Sequence, residues 1–207
     1  IVQWNGEGDG QATVGHGLGA VPKVIIPKRR GASGNWHMYH VGVDPSAPED
    51  YGILLNASNA RSDDANFHND TAPTSSVFTV GTYNNFDDDY VAYVFTDVEG
   101  YSKFGAYEGN SNADGTYIFT GFRPAVVMFK NIDGSDEWVI GDNKRDPSNT
   151  VVGQLFPSTD AAESRSNNIC DFLSNGFKMR RNAGSINQAT QIYMAWAEAP
   201  FKFANAR

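Results

Sequence analysis

Residues 82–90 read TYNNFDDDY: two aromatic rings, Tyr83 and Phe86, enclose two carboxamides, Asn84 and Asn85, and run into three consecutive carboxylates, Asp87, Asp88 and Asp89. That combination suits saccharide recognition, in which a ring face takes the sugar C–H groups while amides and acids fix its hydroxyls. An aromatic centre with a polar rim serves a protein interface equally well. Clustered loop oxygens also suit calcium, and Asp87 and Asp89 are the pair that would bridge it. The stretch lacks the alternating ligand spacing and the glycine of an EF-hand loop, so the competing reading is an acidic turn with no ligand.

Other chemistries find less support. The chain has no GxSxG elbow, HExxH, phosphate-binding loop or dinucleotide fingerprint. Glycan cleavage needs two carboxylates placed across the scissile bond, and the acids at Asp87–Asp89, Glu108, Asp136 and Glu137 all fall in turn-like stretches where solvated acids are the default. His37 and His40 are three apart, so on a strand they point to opposite faces and cannot share a metal. One cysteine, Cys170, excludes an internal disulfide and a CxxC zinc site and is expected as a buried, inert thiol. The expectation is a binding protein with no catalytic residue and no cofactor apart from the calcium option.

The net charge of −8 argues against nucleic acid, which needs clustered Lys and Arg. Only PKRR (27–30) and KMRR (178–181) are locally basic. No apolar run reaches the length of a membrane span and no signal-peptide pattern is present, while the start at Ile1 leaves an upstream segment open.

The elements that must position these residues are written twice. AVPKVIIPKRRGASGNWHMYH (20–40) is answered by RPAVVMFKNIDGSDEWVIGDN (123–143), with Pro22 and Pro124, Lys28 and Lys130, and Trp36 and Trp138 at one offset of 102 (124−22, 130−28, 138−36). Trp4 likewise answers to Tyr107, Phe78 to Phe177, Phe95 to Trp196 and Phe104 to Phe203. A period of half the chain indicates a duplication and not a solenoid. Aromatics at matched positions are expected to pack in the core, Trp36 and Trp138 in equivalent environments. Unmatched ones mark where one copy has gained a site: the 83–89 loop faces only RNAGSINQAT in the second half, and His37 and Tyr39 are replaced by Val139 and Gly141. His37 and Tyr39 therefore join Tyr83 to Asp89 as candidate ligand-binding residues.

The pattern is that of strands. YVAYVF (90–95) is apolar on both alternating faces, and KVII, AVVMF, WVI and QIYMAWA are short, β-branched or aromatic, and bounded by turn residues. Each half reads as five or six strands, with PEDYGILL and TDAAESRSNN as the places for a turn of helix. The fold expected is an all-β sandwich, jelly-roll or lectin-like, made of two similar halves, residues 1–103 and 104–207. With no Pro/Ser-rich linker at the junction, the halves are expected to pack as one globular unit about a pseudo-twofold.

The strings GHGLGAVPKVIIPKR, NWHMYH, TAPTSSVFTVG, YVAYVFTDVEGYSKFGAYEGN, DGTYIFTGFRPAVVMFK, DFLSNGFKMR and IYMAWAEAPFKFANAR together resemble a β-rich, uncharacterised domain family of tailed-bacteriophage virion proteins, frequent in tail-fibre and tail-tip polypeptides and in marine phages. The resemblance covers nearly the whole chain and brings no catalytic residues. It implies a virion module on the particle surface, attaching to a host glycan or protein, with capsid decoration or tail assembly as the alternative. It also implies other virion subunits as partners and a homo-oligomer, as a trimer. The closing APFKFANAR (199–207) is expected to dock against the chain or a neighbour.

Overall fold

The computed structural model describes residues 1–8 and 10–199, and the chain divides into two compact units, Ile1–Thr96 and Asp97–Arg207. The expected docking of the 199–207 segment lies, from Pro200 onward, outside the described residues, as does the pairing of Phe104 with Phe203.

The first unit contains β1 (Val2–Asn5), β2 (Ala12–Gly15), β3 (Val24–Arg29), β4 (His37–His40), β5 (Tyr51–Leu54), β6 (Ser62–Asp63), β7 (Val77–Val80) and β8 (Asp89–Phe95). Six form one antiparallel sheet in the order β1-β8-β3-β4-β5-β6, and β2 pairs with β7 in a two-stranded ribbon. Alternation along β8 decides its faces: Tyr90, Ala92 and Val94 are buried, whereas Asp89 and Tyr93 are exposed. The buried row packs with Ile25 and Tyr39 of the sheet against Val14, Phe78 and Val80 of the ribbon. Trp4 closes this core, stacked on Tyr90 at 5.1 Å and edge-on to Phe78 at 6.0 Å.

The second unit contains β9 (Ser102–Glu108), β10 (Tyr117–Phe119), β11 (Pro124–Asn131), β12 (Val139–Asp142), β13 (Cys170–Leu173), β14 (Gly176–Met179), the short helix α1 (Gly184–Asn187) and β15 (Thr190–Ala197). Its sheets run β12-β11-β15-β9 and β10-β14-β13. Position 103 lies inside β9, whose whole length pairs with β15. Between the sheets the rings of Tyr107, Phe129, Phe177 and Tyr193 meet at 5.4 to 6.3 Å. Cys170 is buried among them, and burial pushes its thiol well above the ordinary range, which keeps it protonated. The protein is thus all-β, of sandwich type.

The strand order β1-β8-β3-β4 of the first unit recurs as β9-β15-β11-β12 in the second, and the registers coincide. Val24 opposite Phe95 answers to Val126 opposite Trp196, and Trp4 opposite Tyr90 answers to Tyr107 opposite Gln191. Ile25 opposite Tyr39 answers to Val127 opposite Gly141, and Val14 opposite Phe78 to Ile118 opposite Phe177. The offsets run from 99 (177−78) to 104 (118−14). Where the second unit has Gly141 in place of Tyr39, the space is taken by Val151 and Ile169, which lie 3.0 and 3.2 Å from a Cβ built there, closer than ordinary van der Waals contact.

The helical turn expected in PEDYGILL is the 3-10 turn Pro48–Asp50, followed at once by β5, whose Gly52 sits against the Phe67 ring where a Cβ would collide. Other expectations need correction. TDAAESRSNN contains no helix, and among the described residues the one α-helical turn is instead at Gly184–Asn187. Trp36 and Trp138 share a backbone role, each donating its main-chain N–H to a side-chain oxygen, of Asn56 and Ser158 respectively. Their environments differ: Trp138 is 0% exposed, whereas Trp36 is half-buried. Phe95 and Trp196 are likewise half-buried. Equivalent register fixes where a side chain starts, while its depth depends on what the neighbouring loops lay over it.

Replacing Trp138 by Ala is therefore expected to cost about 3–5 kcal/mol, and replacing Trp36 on the order of 1 kcal/mol. Urea denaturation of the two variants checks this, and equal losses would contradict the difference in burial.

Candidate functional site

The 83–89 loop joins the ribbon to the sheet of the first unit. Gly81, after β7, sits where a Cβ would meet the carbonyls of Ala65 and Asn66 at 2.5–2.6 Å, so the chain enters the loop pressed against the 64–68 turn. The Gly81 and Tyr83 amides then donate to the carbonyls of Phe67 and Asn66, both at 3.0 Å, and residues Thr82–Asn84 form a 3-10 turn. On its far side the loop is held by the first strand: Gly6 N–H donates to the Asp88 carbonyl at 2.8 Å, Gly8 N–H to that of Asn85 at 2.8 Å, and the Trp4 indole to that of Asn84 at 3.3 Å. Gly6 is required here, since a Cβ would fall on the Phe86 carbonyl.

The two carboxamides of the candidate set face inward. Asn84 and Asn85 are each 1% exposed. Asn85 Oδ1 accepts from the Glu7 amide at 3.3 Å. Asn84 Oδ1 lies 2.8 Å from His37 Nδ1; an amide oxygen only accepts, so that nitrogen carries the imidazole proton. Asn84 Nδ2 is buried with no partner. These amides anchor the loop, and the groups left at the surface are Tyr83, 37% exposed, Phe86, 44% exposed, and the carboxylates of Asp87 and Asp89.

Both exposed rings are held in place. The Tyr83 hydroxyl donates to Asp64 at 2.9 Å, a bond that raises its own ionisation range, and its ring stacks on His37 at 5.4 Å and meets Phe67 edge-on at 5.3 Å. Phe86 carries the Arg29 guanidinium over its ring at 5.3 Å, and its amide donates to the Tyr90 hydroxyl at 3.2 Å. The same guanidinium meets Asp88 at 2.5 Å, and this hydrogen bond holds the Asp88 carboxyl below its ordinary range. Asp88 thus has its counter-charge within the protein and also accepts from the Asp89 amide at 2.7 Å. Among the described residues no group of three or more His, Cys, Asp or Glu is placed to hold a metal ion.

Of the sequence candidates, the structure brings His37, Tyr83 and Asn84 into direct contact. Tyr39 is 4% exposed and belongs to the core, where its ring meets His68 edge-on at 5.4 Å. Sequence reasoning missed Asp64, Phe67 and Arg29, which fix the exposed rings. Asp64 and Phe67 lie in an irregular stretch with no counterpart in the repeat, and Arg29 looked like one of a solvated basic run. His68 lies in the same irregular stretch as Asp64 and Phe67. It is 4% exposed with Nε2 unpartnered, and burial lowers its pKa to about 3. Burial also lowers that of His37, opposed by the Asn84 hydrogen bond and aided by the charge of Lys28.

Both histidines are held neutral, with folded pKa values below the ordinary 6.5. As pH falls through 6.5 the unfolded chain takes up these protons before the folded one, so their contribution is complete above 6.5 and declines below it. Denaturant midpoints are expected to drop between pH 6.5 and 5, above the range in which carboxylates titrate, and His68→Leu is expected to flatten that slope. An unchanged slope in the variant would contradict the burial of a neutral His68.

No curated protein and no solved structure matches the chain. A match over residues 1–200, nearly the whole length and both units described above, is made by the family whose description is Domain of unknown function (DUF7483), and the chain belongs to that family.

Proposed function

We propose that the chain is a non-enzymatic surface module of a bacteriophage virion, on a tail fibre or a comparably exposed part, and that it attaches to a host-cell glycan or protein. The virion setting rests on the motif strings from GHGLGAVPKVIIPKR to IYMAWAEAPFKFANAR. The binding role rests on one observation: Tyr83 and Phe86 are exposed yet fixed by Asp64, His37, Arg29 and Tyr90. An aromatic ring already held in one orientation loses little conformational entropy on binding, and loops on a rigid base are where recognition residues concentrate. The common strand order and registers of the two units support a duplication whose core is needed twice and whose binding surface is needed once.

A second reading, assembly without receptor binding, draws support from β10. Tyr117 and Phe119 are 42% and 59% exposed on this edge strand, a place suited to contact with another virion subunit. In that reading the module is a capsid decoration or a tail-assembly part, with homotrimers as the form to look for.

Attachment is tested by binding to host cells and to a glycan panel, comparing wild type with a Tyr83→Ala, Phe86→Ala variant shown by circular dichroism to be folded. Wild type is expected to bind and the variant to lose at least tenfold in affinity, with no effect of a chelator, since Asp88 is neutralised by Arg29. Full binding by the folded variant removes the loop from consideration. Absence of binding by wild type, together with loss of oligomers in a Tyr117→Ser, Phe119→Ser variant, favours assembly.

A further inference from the structure

We propose that the first unit carries a second ligand site, distinct from the 83–89 loop, in which Trp36, Tyr93 and Lys28 form a platform for a carboxylated saccharide. It rests on the attachment reading only in taking a surface glycan as the ligand class. Tyr93 pairs with Ile26, and Val91 with Lys28, so Lys28 and Tyr93 share the face of the sheet opposite the core row of Tyr90, Ala92 and Val94. The indole of Trp36 lies against the Tyr93 ring at 6.4 Å and 22°, and the Lys28 ammonium stands over the indole at 5.7 Å.

The matched positions of the second unit give the contrast. Lys130 and Trp138 are 0% exposed and Met194, at the position of Tyr93 (194−93 = 101), is 2% exposed. The same fold position thus accepts a buried methionine in one unit. In the other it carries a tyrosine that is 37% exposed and stacked on a tryptophan. Packing does not require that tyrosine at the surface, whereas a ring that receives a sugar face does.

The polar groups beside the platform decide the ligand's charge. Lys28 Nζ donates to the Gly34 carbonyl at 2.8 Å, which uses one of three donors. Among the described residues no carboxylate is paired with it, although the adjacent Arg29 is tied to Asp88. Asn56 Oδ1 is occupied by the Trp36 amide at 2.8 Å, and its Nδ2 donates to Asn35 Oδ1 at 3.1 Å. The Lys28 ammonium and Asn35 Nδ2 are thus left as donors beside the rings, and the Tyr93 hydroxyl can donate or accept. Rings flanked by spare donors and by an ammonium with no ion-pair partner complement a sugar that carries a carboxylate.

The test is titration calorimetry of the full chain against carboxylated oligosaccharides of the galacturonate, mannuronate and sialyl types, each beside its methyl ester, which keeps the ring and removes the charge. Wild type is expected to bind at least one acid form at least tenfold more tightly than its ester, and to bind it more weakly at 0.5 M salt. Lys28→Met and Tyr93→Met, the latter copying the second unit, are each expected to weaken binding at least tenfold, while the Tyr83→Ala, Phe86→Ala variant retains it. Failure of wild type to bind any acid form, equal binding of acid and ester, or full binding by either platform variant overturns the proposal. If cells or glycans still bind through Tyr83 and Phe86, the platform alone is wrong. If neither platform nor loop binds anything, the attachment reading fails with it.

Discussion

Strand β8 is hydrogen-bonded along both edges, to β1 on one side and β3 on the other, and the first unit depends on that double pairing. A strand fixed on two sides cannot slip by one residue without turning its whole buried row outward. The register therefore sets Tyr90, Ala92 and Val94 against the ribbon and leaves Asp89 and Tyr93 on the other face. It also fixes the loop that precedes it. Gly6 follows β1 and binds the Asp88 carbonyl, Arg29 ends β3 and binds the Asp88 carboxylate, and Tyr90 in β8 itself receives the Phe86 amide. All three strands thus contribute one restraint to the same turn.

The second unit keeps the pairing scheme and changes what is hung on it. β15 lies between β9 and β11 in the register of β8, but Gln191 stands where the first unit has Tyr90. The turn before β15 is the short helix Gly184–Asn187, in which Asn187 is 0% exposed and donates to Asn110 at 3.0 Å. Polar side chains are again used to secure the entry to the central strand, here with no aromatic ring left at the surface. Burying an amide is tolerable because its hydrogen bonds are made within the protein. Both units depart from this economy, the second at Gln191 Oε1 and the first at Asn84 Nδ2 and His68 Nε2, each buried without a partner. Such groups cost stability, and the contacts of Asn84 with His37 and of His68 with Tyr39 place part of that cost next to the exposed Tyr83.

Charge is distributed in the same spirit. Arg29 is shared between a ring and a carboxylate, and in the second unit Arg180 bridges Asp171 at 2.6 Å and Asp114 at 3.4 Å. Both come from the only two basic runs of the sequence, and each is consumed in holding a turn to a strand. Ion pairs this close to solvent add little stability individually. Their value lies in orientation, because a planar guanidinium fixes the direction of what it binds.

The sequence by itself determined the all-β character and the alternation along the strands, because period-2 patterning is a property of neighbouring residues and needs no knowledge of distant ones; it read five or six strands in each half where the structure has eight and seven, since the short edge strands form only against a partner. It also singled out the loop and its rings. Only the tertiary structure decided which of those residues reach solvent. Asn84 and Asn85 turned inward because the loop's backbone runs against the 64–68 turn and the first strand, contacts between residues far apart in the chain. Tyr39 was absorbed into the core by His68, and Trp36, matched in sequence to a fully buried tryptophan, was left half open beside Tyr93. Depth depends on which loops cover a position, and the covering loops are where the two halves share no pattern from which it could be read.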